Sequence, residues 1–378
     1  KKKEEIKMTL KNVLLLFKKE SILVTACFLA FCSCFLTPPD LQYIHYIDFR
    51  TLILLFSLMA VMAGMQDIGI FYWISGKLLK TVHTQKALVC ILIFLCFFSS
   101  MLITNDVALI TFVPLCIMIL KLIKKERLIC ITIVLQTIAA NLGSMLTPVG
   151  NPQNLYLYSA SGFSLKQFIQ ITFPYVMLAA SIILIVVHIF YKEKTPFEQI
   201  HIKQNHLNSK RVCYYSILFV LCLFTVIRIF PITMLLFTIN IGIFLDNKTL
   251  FKKVDYSLLF TFLAFFILIG NIGRFPPFHA FIAKIIQGQE TLTAIIISQF
   301  ISNVPAALLL SGFTLQWKEL IIGVNIGGLG TLIASMASLI SYKQMISEYP
   351  YDKRKYVFAF TWWNLLFLIL LVFGSKIF

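Results

Sequence analysis

The sequence predicts an all-α polytopic membrane protein made of two inverted repeats, each with a re-entrant helical hairpin and a broken transmembrane helix. Three observations carry that prediction. Apolar runs of membrane-crossing length recur along the chain, one such run in each half is interrupted by polar residues, and blocks of the two halves match while their flanking charges orient them oppositely.

Composition removes the soluble classes first. Of 378 residues, 59% are hydrophobic and 13% charged, against roughly 25% charged in a soluble domain. Mean hydropathy is +0.88. The net charge of +17 sits in short Lys and Arg clusters between apolar runs rather than along one polar face, which argues against a nucleic-acid partner and for membrane topology. The nine cysteines lie mainly inside apolar segments, with no CxxC and no His at ligand spacing, and read as small hydrophobic fillers. No Ser/Lys or Ser/His pair, no paired Asp and no HExxH stands out, so no enzyme is expected.

Residues 1–20 form a basic lead-in expected on the cytoplasmic side; no small-residue cleavage site follows an apolar core, so it does not read as a signal peptide. Residues 21–191 are the first half, with spans near Ser21 to Leu36, Thr51 to Gln66 and Phe168 to Tyr191, a hairpin over 87–120 and a broken helix over 128–158. Residues 192–212, polar and basic, are the cytoplasmic linker. The second half, 213–378, carries spans near Cys213 to Phe230, Pro231 to Leu245, Asp255 to Asn271 and Tyr356 to Phe373, a hairpin over 291–315 and a broken helix over 320–342.

The hairpins follow from their breaks. Thr104-Asn105-Asp106 interrupts the first run, and Ser302-Asn303-Val304-Pro305 the second. Backbone freed at mid-bilayer costs several kcal/mol per unpaired group unless protein or a cavity covers it. Each hairpin is therefore expected to enter and leave on one face. With the N-terminus inside, that layout puts 26 of the 33 basic residues in the cytoplasm and 7 outside, as the positive-inside rule demands. The expected location is the inner cell membrane.

The halves match in three blocks in the same order. Leu54 to Gly69 lies over Leu258 to Gly273 at an offset of 204, Asn105 over Asn303 at 198, and Ala140 to Tyr158 over Val324 to Tyr342 at 184, the last sharing Asn141/Asn325, Gly143/Gly327 and Thr147/Thr331. Inverted repeats with interrupted helices point to an alternating-access carrier whose site lies between them.

Chemistry concentrates at the interruptions. Thr147-Pro148-Val149-Gly150-Asn151-Pro152 places two prolines and a glycine within one span, where proline removes a donor and clashes one turn back. The break frees carbonyls for a cation and creates a helix N-terminus near Asn151 that favours an anion. Its counterpart, Gly327 to Thr331 and Ala334-Ser335-Met336, breaks by glycine. Pro305 suits a first helical turn. Asp106 is the carboxylate at a tip, and an intramembrane acid is functional by default. His45, His83, His188 and His279 lie near span ends or outside the motifs and read as interfacial or packing residues.

These residues resemble the ion transporter superfamily: divalent anion/sodium symporters, citrate carriers, arsenite pumps and NhaD-type antiporters. The symporters carry Ser-Asn-Thr at each tip, where this chain has Thr104-Asn105-Asp106 and Ser302-Asn303-Val304. Their Gly-Thr-Pro-Pro-Asn break is similar to Gly150-Asn151-Pro152-Gln153-Asn154. Neither tip keeps the final Thr, and Asn105-Asp106 looks more like the arsenite pump and NhaD branches. The resemblance implies substrate oxygens on Thr104, Asn105, Asn151, Ser302, Asn303 and Ser335. It implies one Na+ site at Asn105 and the Gly150 carbonyl and a second at Asn303 and the Ala334 carbonyl, with Asp106 added for a cation or proton.

The expected function is thus ion-coupled (Na+ or H+) secondary transport of a small anion such as a di- or tricarboxylate. The alternatives are an arsenite exporter or Na+/H+ antiporter of the same superfamily and, in another class, a channel. The expected partners are that anion and the lipid bilayer, with a homodimer allowed. No cofactor beyond the coupling ion is expected.

Overall fold

The computed structural model describes residues 20–79, 82, 84–191 and 207–375. Most of the basic lead-in, His83 and most of the 192–212 linker lie outside them. Among the described residues every regular element is helical.

The first half runs α1 (Ser21–Ser33), α2 (Tyr43–Tyr46), α3 (Phe49–Ile68), α4 (Ile70–Leu79), the hairpin α5 (Gln85–Ile103) and α6 (Asn105–Leu122), then α7 (Ile129–Gly143), α8 (Pro152–Ser161) and α9 (Leu165–Phe190). The second half runs α10 (Ser209–Val226), α11 (Ile232–Asn247), α12 (Tyr256–Gly273), α13 (Pro276–Ile286), the hairpin α14 (Glu290–Ile301) and α15 (Asn303–Ser311), then α16 (Trp317–Ile326), α17 (Met336–Glu348) and α18 (Lys353–Gly374). Among the described residues nine helices are long and apolar enough to cross a membrane, or ten if α13 and α14, bent by 108°, form one span. The chain is a multi-pass membrane protein.

Local chemistry sets the ends. Asp48 caps α3 by accepting from the Thr51 N–H, and Asp255 caps α12 by accepting from that of Leu258, both at 3.0 Å. Gly69 ends α3 at φ +81°, a conformation only glycine takes cheaply. Asn151 caps α8 with Pro152 in the first turn, so the sequence that breaks the span also starts the next helix.

Several boundaries differ from the sequence expectation, among them the second broken helix, which runs on to Glu348 past the expected Tyr342. The first helix stops at Ser33 rather than Leu36, because its bonding tightens there to three-residue turns: the N–H groups of Cys34, Phe35 and Leu36 donate to the carbonyls of Phe31, Cys32 and Ser33. The linker expected to reach 212 ends earlier, since Asn208 caps α10 by accepting from the N–H groups of Lys210 and Arg211. Helices α4 and α13 have no counterpart among the expected spans; at 10 and 11 residues they are too short to carry that signature. The hairpins also differ in size. The arms α5 and α6 have 19 and 18 residues, each enough to cross alone, whereas α14 and α15 have 12 and 9.

One packing pattern occurs twice. Helices α5 and α6 pack on each other and on α7, and α14 and α15 pack on each other and on α16. The second pieces of the broken helices then cross over: α17 packs on α6, and α8 on α15. Each hairpin is therefore completed by the opposite half. The stretch Glu126–Leu146 is 89% buried, while those of α10 and α11 are 28% buried, so the broken helices are central and α10 and α11 peripheral.

Candidate functional site

The two tips are single residues in an unusual backbone state. Thr104 joins α5 to α6 at φ 67°, ψ 148°, and Ser302 joins α14 to α15 at φ 75°, ψ 153°. That region is almost reserved for glycine and costs on the order of 1–3 kcal/mol per residue. The same backbone bond ties each tip to the neighbouring break: the Asn105 N–H donates to the Gly150 carbonyl at 3.0 Å, and the Asn303 N–H to the Ala334 carbonyl at 2.9 Å.

Other contacts repeat at the offsets seen in the sequence. The Thr147 hydroxyl donates to the Met101 carbonyl, and the Thr331 hydroxyl to the Gln299 carbonyl at 3.0 Å. A Cβ on Gly143 would run into Phe97 and Ser100, and one on Gly327 into Ser298, so glycine is what lets α7 and α16 approach the hairpins.

Between the halves lies a buried network. Asn141 Oδ1 accepts from Asn105 Nδ2 at 3.1 Å and from the Ser335 hydroxyl at 2.9 Å. Asn325 Oδ1 accepts from Asn151 Nδ2 at 3.2 Å, and Asn325 Nδ2 donates to Asn154 Oδ1 at 2.6 Å. Asn105, Asn151, Ser302, Asn303 and Ser335 are buried, and Thr104 is half-buried. The N-termini of α6, α8, α15 and α17 thus meet in one buried, hydrogen-bonded centre, and helix N-termini favour anions.

Asp106, in the first turn of α6, opens onto a cleft of about 200 Å3 shared with Thr104, Asn151, Asp255, Lys253 and Met336. At roughly 30 Å3 per liquid water, that is room for one small organic ion. Asp106 Oδ1 is buried and has no hydrogen-bond partner among the described residues. The Lys253 ammonium lies 2.8 Å from Asp67 Oδ1; Asp67 also meets Arg211 at 3.4 Å, which is paired with Asp246 at 2.6 Å. These charges tie α3, α10 and α11 at the mouth of the cleft.

The structure therefore brings the six substrate candidates and the tip and break candidates to one region. It adds four that the sequence reading had not put there: Asn141, Asn325, Gln299 and Asp255. The matched Asn141/Asn325 was visible in the repeat. Gln299, whose Nε2 donates to the carbonyls of Gly327 and Leu329 at 3.0 and 2.9 Å, gave no local signal. Asp255 shares a cleft with Asp106 although 149 residues separate them, so no sequence pattern announced the two acids together.

The described histidines lie elsewhere. His279 contacts the Gly312 carbonyl at 2.9 Å and packs on Phe313, His45 is exposed on α2, and His188 meets Lys86. Among the described residues no group of three His, Cys, Asp or Glu is placed to hold a metal.

The sequence profile of the citrate transporter family matches residues 12–316, which covers both hairpins and the first break. The chain belongs to the citrate transporter family. The chain is 34% identical over 308 residues to the uncharacterized transporter MJ0456 of Methanocaldococcus jannaschii, covering 80% of this chain and 83% of that one. It is 31% identical over 303 residues to the inner membrane protein YbiR of Escherichia coli, covering 79% and 80%. A shorter likeness, 28% over 149 residues, covers 39% of this chain and 26% of the putative transporter arsB of Dictyostelium discoideum. As a citrate transporter family member the chain is a membrane transporter and not an enzyme. Its match ends at 316, so α16, the second break and Ser335 lie beyond the matched region.

Proposed function

We propose that the chain is an ion-coupled secondary active transporter that moves a small anion, such as a di- or tricarboxylate, by alternating access. One observation supports this reading above the others: the reciprocal network in which each half completes the other's break, Asn141 with Ser335 and Asn325 with Asn151. A centre shared by two halves can open to either side as they move against each other, which a single-half pore cannot do. Thr104, Asn105, Asn151, Ser302, Asn303 and Ser335 receive substrate oxygens. Asn105, Asp106, Asn303 and the carbonyls of Gly150 and Ala334 hold the coupling cation or, at Asp106, a proton. Oxygen donors of this kind suit a hard cation. The hairpins are re-entrant, and the N-terminus lies in the cytoplasm of a cell whose inner membrane holds the protein.

A second reading is favoured by a specific feature. The cleft is lined by the carboxylates of Asp106 and Asp255, and the Lys253 that lines it is already engaged by Asp67. Such a surface accepts a neutral hydroxylated solute or a bare cation better than a dianion, which suits arsenite export or Na+/H+ exchange.

The test is flux into proteoliposomes under imposed Na+ or proton gradients, with labelled citrate, succinate and arsenite as solutes. Saturable uptake with counterflow of one carboxylate supports the proposal; arsenite flux alone selects the second reading. Conductance without counterflow contradicts both.

A further inference from the structure

A groove of about 640 Å3 lies far from the site, where α5 begins and α9 ends. Its floor and wall are Cys90, Leu184, Ile185 and Ile189, and its polar end is Lys86 and His188. Leu184, Ile185 and Ile189 are 50%, 56% and 52% exposed, so this face of α9 looks outward. On a membrane-length helix an outward apolar face meets acyl chains. The groove's polar end stands at a helix boundary, the level of the lipid headgroups.

The polar end has a charge problem of its own. Lys86 Nζ lies 2.8 Å from His188 Nδ1, two basic groups drawn together. An ammonium has only donors, so the ring nitrogen accepts and the imidazole keeps its proton on Nε2 as a second donor. Lys86 also stands in the first turn of α5, where the helix already presents partial positive charge. Among the described residues that line the groove there is no Asp or Glu. Two donors and a helix N-terminus therefore face the headgroup layer without a lining carboxylate, above an apolar trough.

We infer that this groove binds one anionic phospholipid, its phosphate on Lys86 and His188 and one acyl chain along Cys90, Leu184, Ile185 and Ile189. The groove's volume falls within the roughly 300–1,000 Å3 of small-molecule sites. Basic pockets at the ends of packed membrane helices take such headgroups, each basic residue contributing attraction. The lipid bridges α5, an arm of the first hairpin, to α9, and so steadies the helix that carries Thr104.

The test is native mass spectrometry of the full-length purified protein with phosphatidylglycerol or phosphatidylcholine of matched chains, with thermal unfolding in the same micelles. The wild type retains one phosphatidylglycerol preferentially and unfolds at higher temperature with it than with phosphatidylcholine. The double variant Lys86→Gln, His188→Gln weakens that retention about tenfold while unfolding as wild type in phosphatidylcholine. Lys86→Arg keeps retention and serves as the control should the double variant not fold. Ile185→Trp, which fills the trough, lowers retention without touching the charges. Equal retention of the two lipids, unchanged retention in the double variant or in Ile185→Trp, or the same stabilisation by inorganic phosphate alone would each overturn the assignment.

Discussion

The amide oxygen of Asn141 accepts a hydrogen bond from the hydroxyl of Ser335 at 2.9 Å, across 194 residues of chain. Shifting both partners by the 184-residue offset, in opposite directions, gives Asn325 and Asn151, which are bonded at 3.2 Å. The centre is therefore two copies of one contact, each with a partner from either half. Hydrogen bonds between membrane helices average only about 0.6 kcal/mol. Asn141→Ala and Asn325→Ala should lower the unfolding temperature by a few degrees at most, yet cut transport by about tenfold or more. Uptake and thermal unfolding on the same preparations check this; a large stability loss with proportionate flux would make the pair structural only.

The tips store strain that glycine would relieve. Thr104→Gly should gain stability on the order of 1 kcal/mol, because the relief at φ 67° exceeds the added freedom of the unfolded chain. The same variant should lose substrate affinity, since a site oxygen goes with it. A measured drop in stability would show that the Thr104 side chain holds the tip more than the backbone resists it.

Gly150 is fixed by contact. A Cβ there would run into the Ser144 carbonyl, a backbone atom that cannot swing away, and would push apart the turn that accepts the Asn105 N–H. Gly273 has nothing within 4 Å of its Cβ position. Gly150→Ala should cost about 1–3 kcal/mol and abolish transport, with Gly273→Ala close to neutral, as read by thermal unfolding and flux.

Orientation is tested apart from substrate. In a cysteine-free background, single cysteines at Lys86 and Lys121 should react with an impermeant maleimide from one side, and cysteines at Gln289 and Trp317 from the other. All four labelling from one side would remove the inverted relation between the hairpins.

Much of this was legible because a membrane makes polarity costly. Asn105, Asp106 and Asn303 stood out as polar residues inside apolar runs, and Pro148, Gly150 and Pro152 marked the first break for the same reason. The matched Asn141 and Asn325 were visible as a pair, but their crossed partners were not, since a repeat says which positions correspond and not which of them touch. Gln299 bonds three residues across the second break, and its equivalent position in the first half is Met101, so the repeat gave no hint of it. The positive φ of Thr104 and Ser302 was hidden because neither residue is glycine. Asp255 read only as the start of a span, which it also is: it caps α12 while lining the cleft.

The central claim is that transport through this site is coupled, and Asp106 is where coupling would enter. Asp106→Asn keeps the shape of the protonated side chain but can neither release a proton nor offer a charge to a cation. In proteoliposomes the variant should lose gradient-driven accumulation while still exchanging labelled for unlabelled substrate between two filled compartments. Full accumulation by Asp106→Asn would contradict the account and leave Asp106 as a packing residue at the tip.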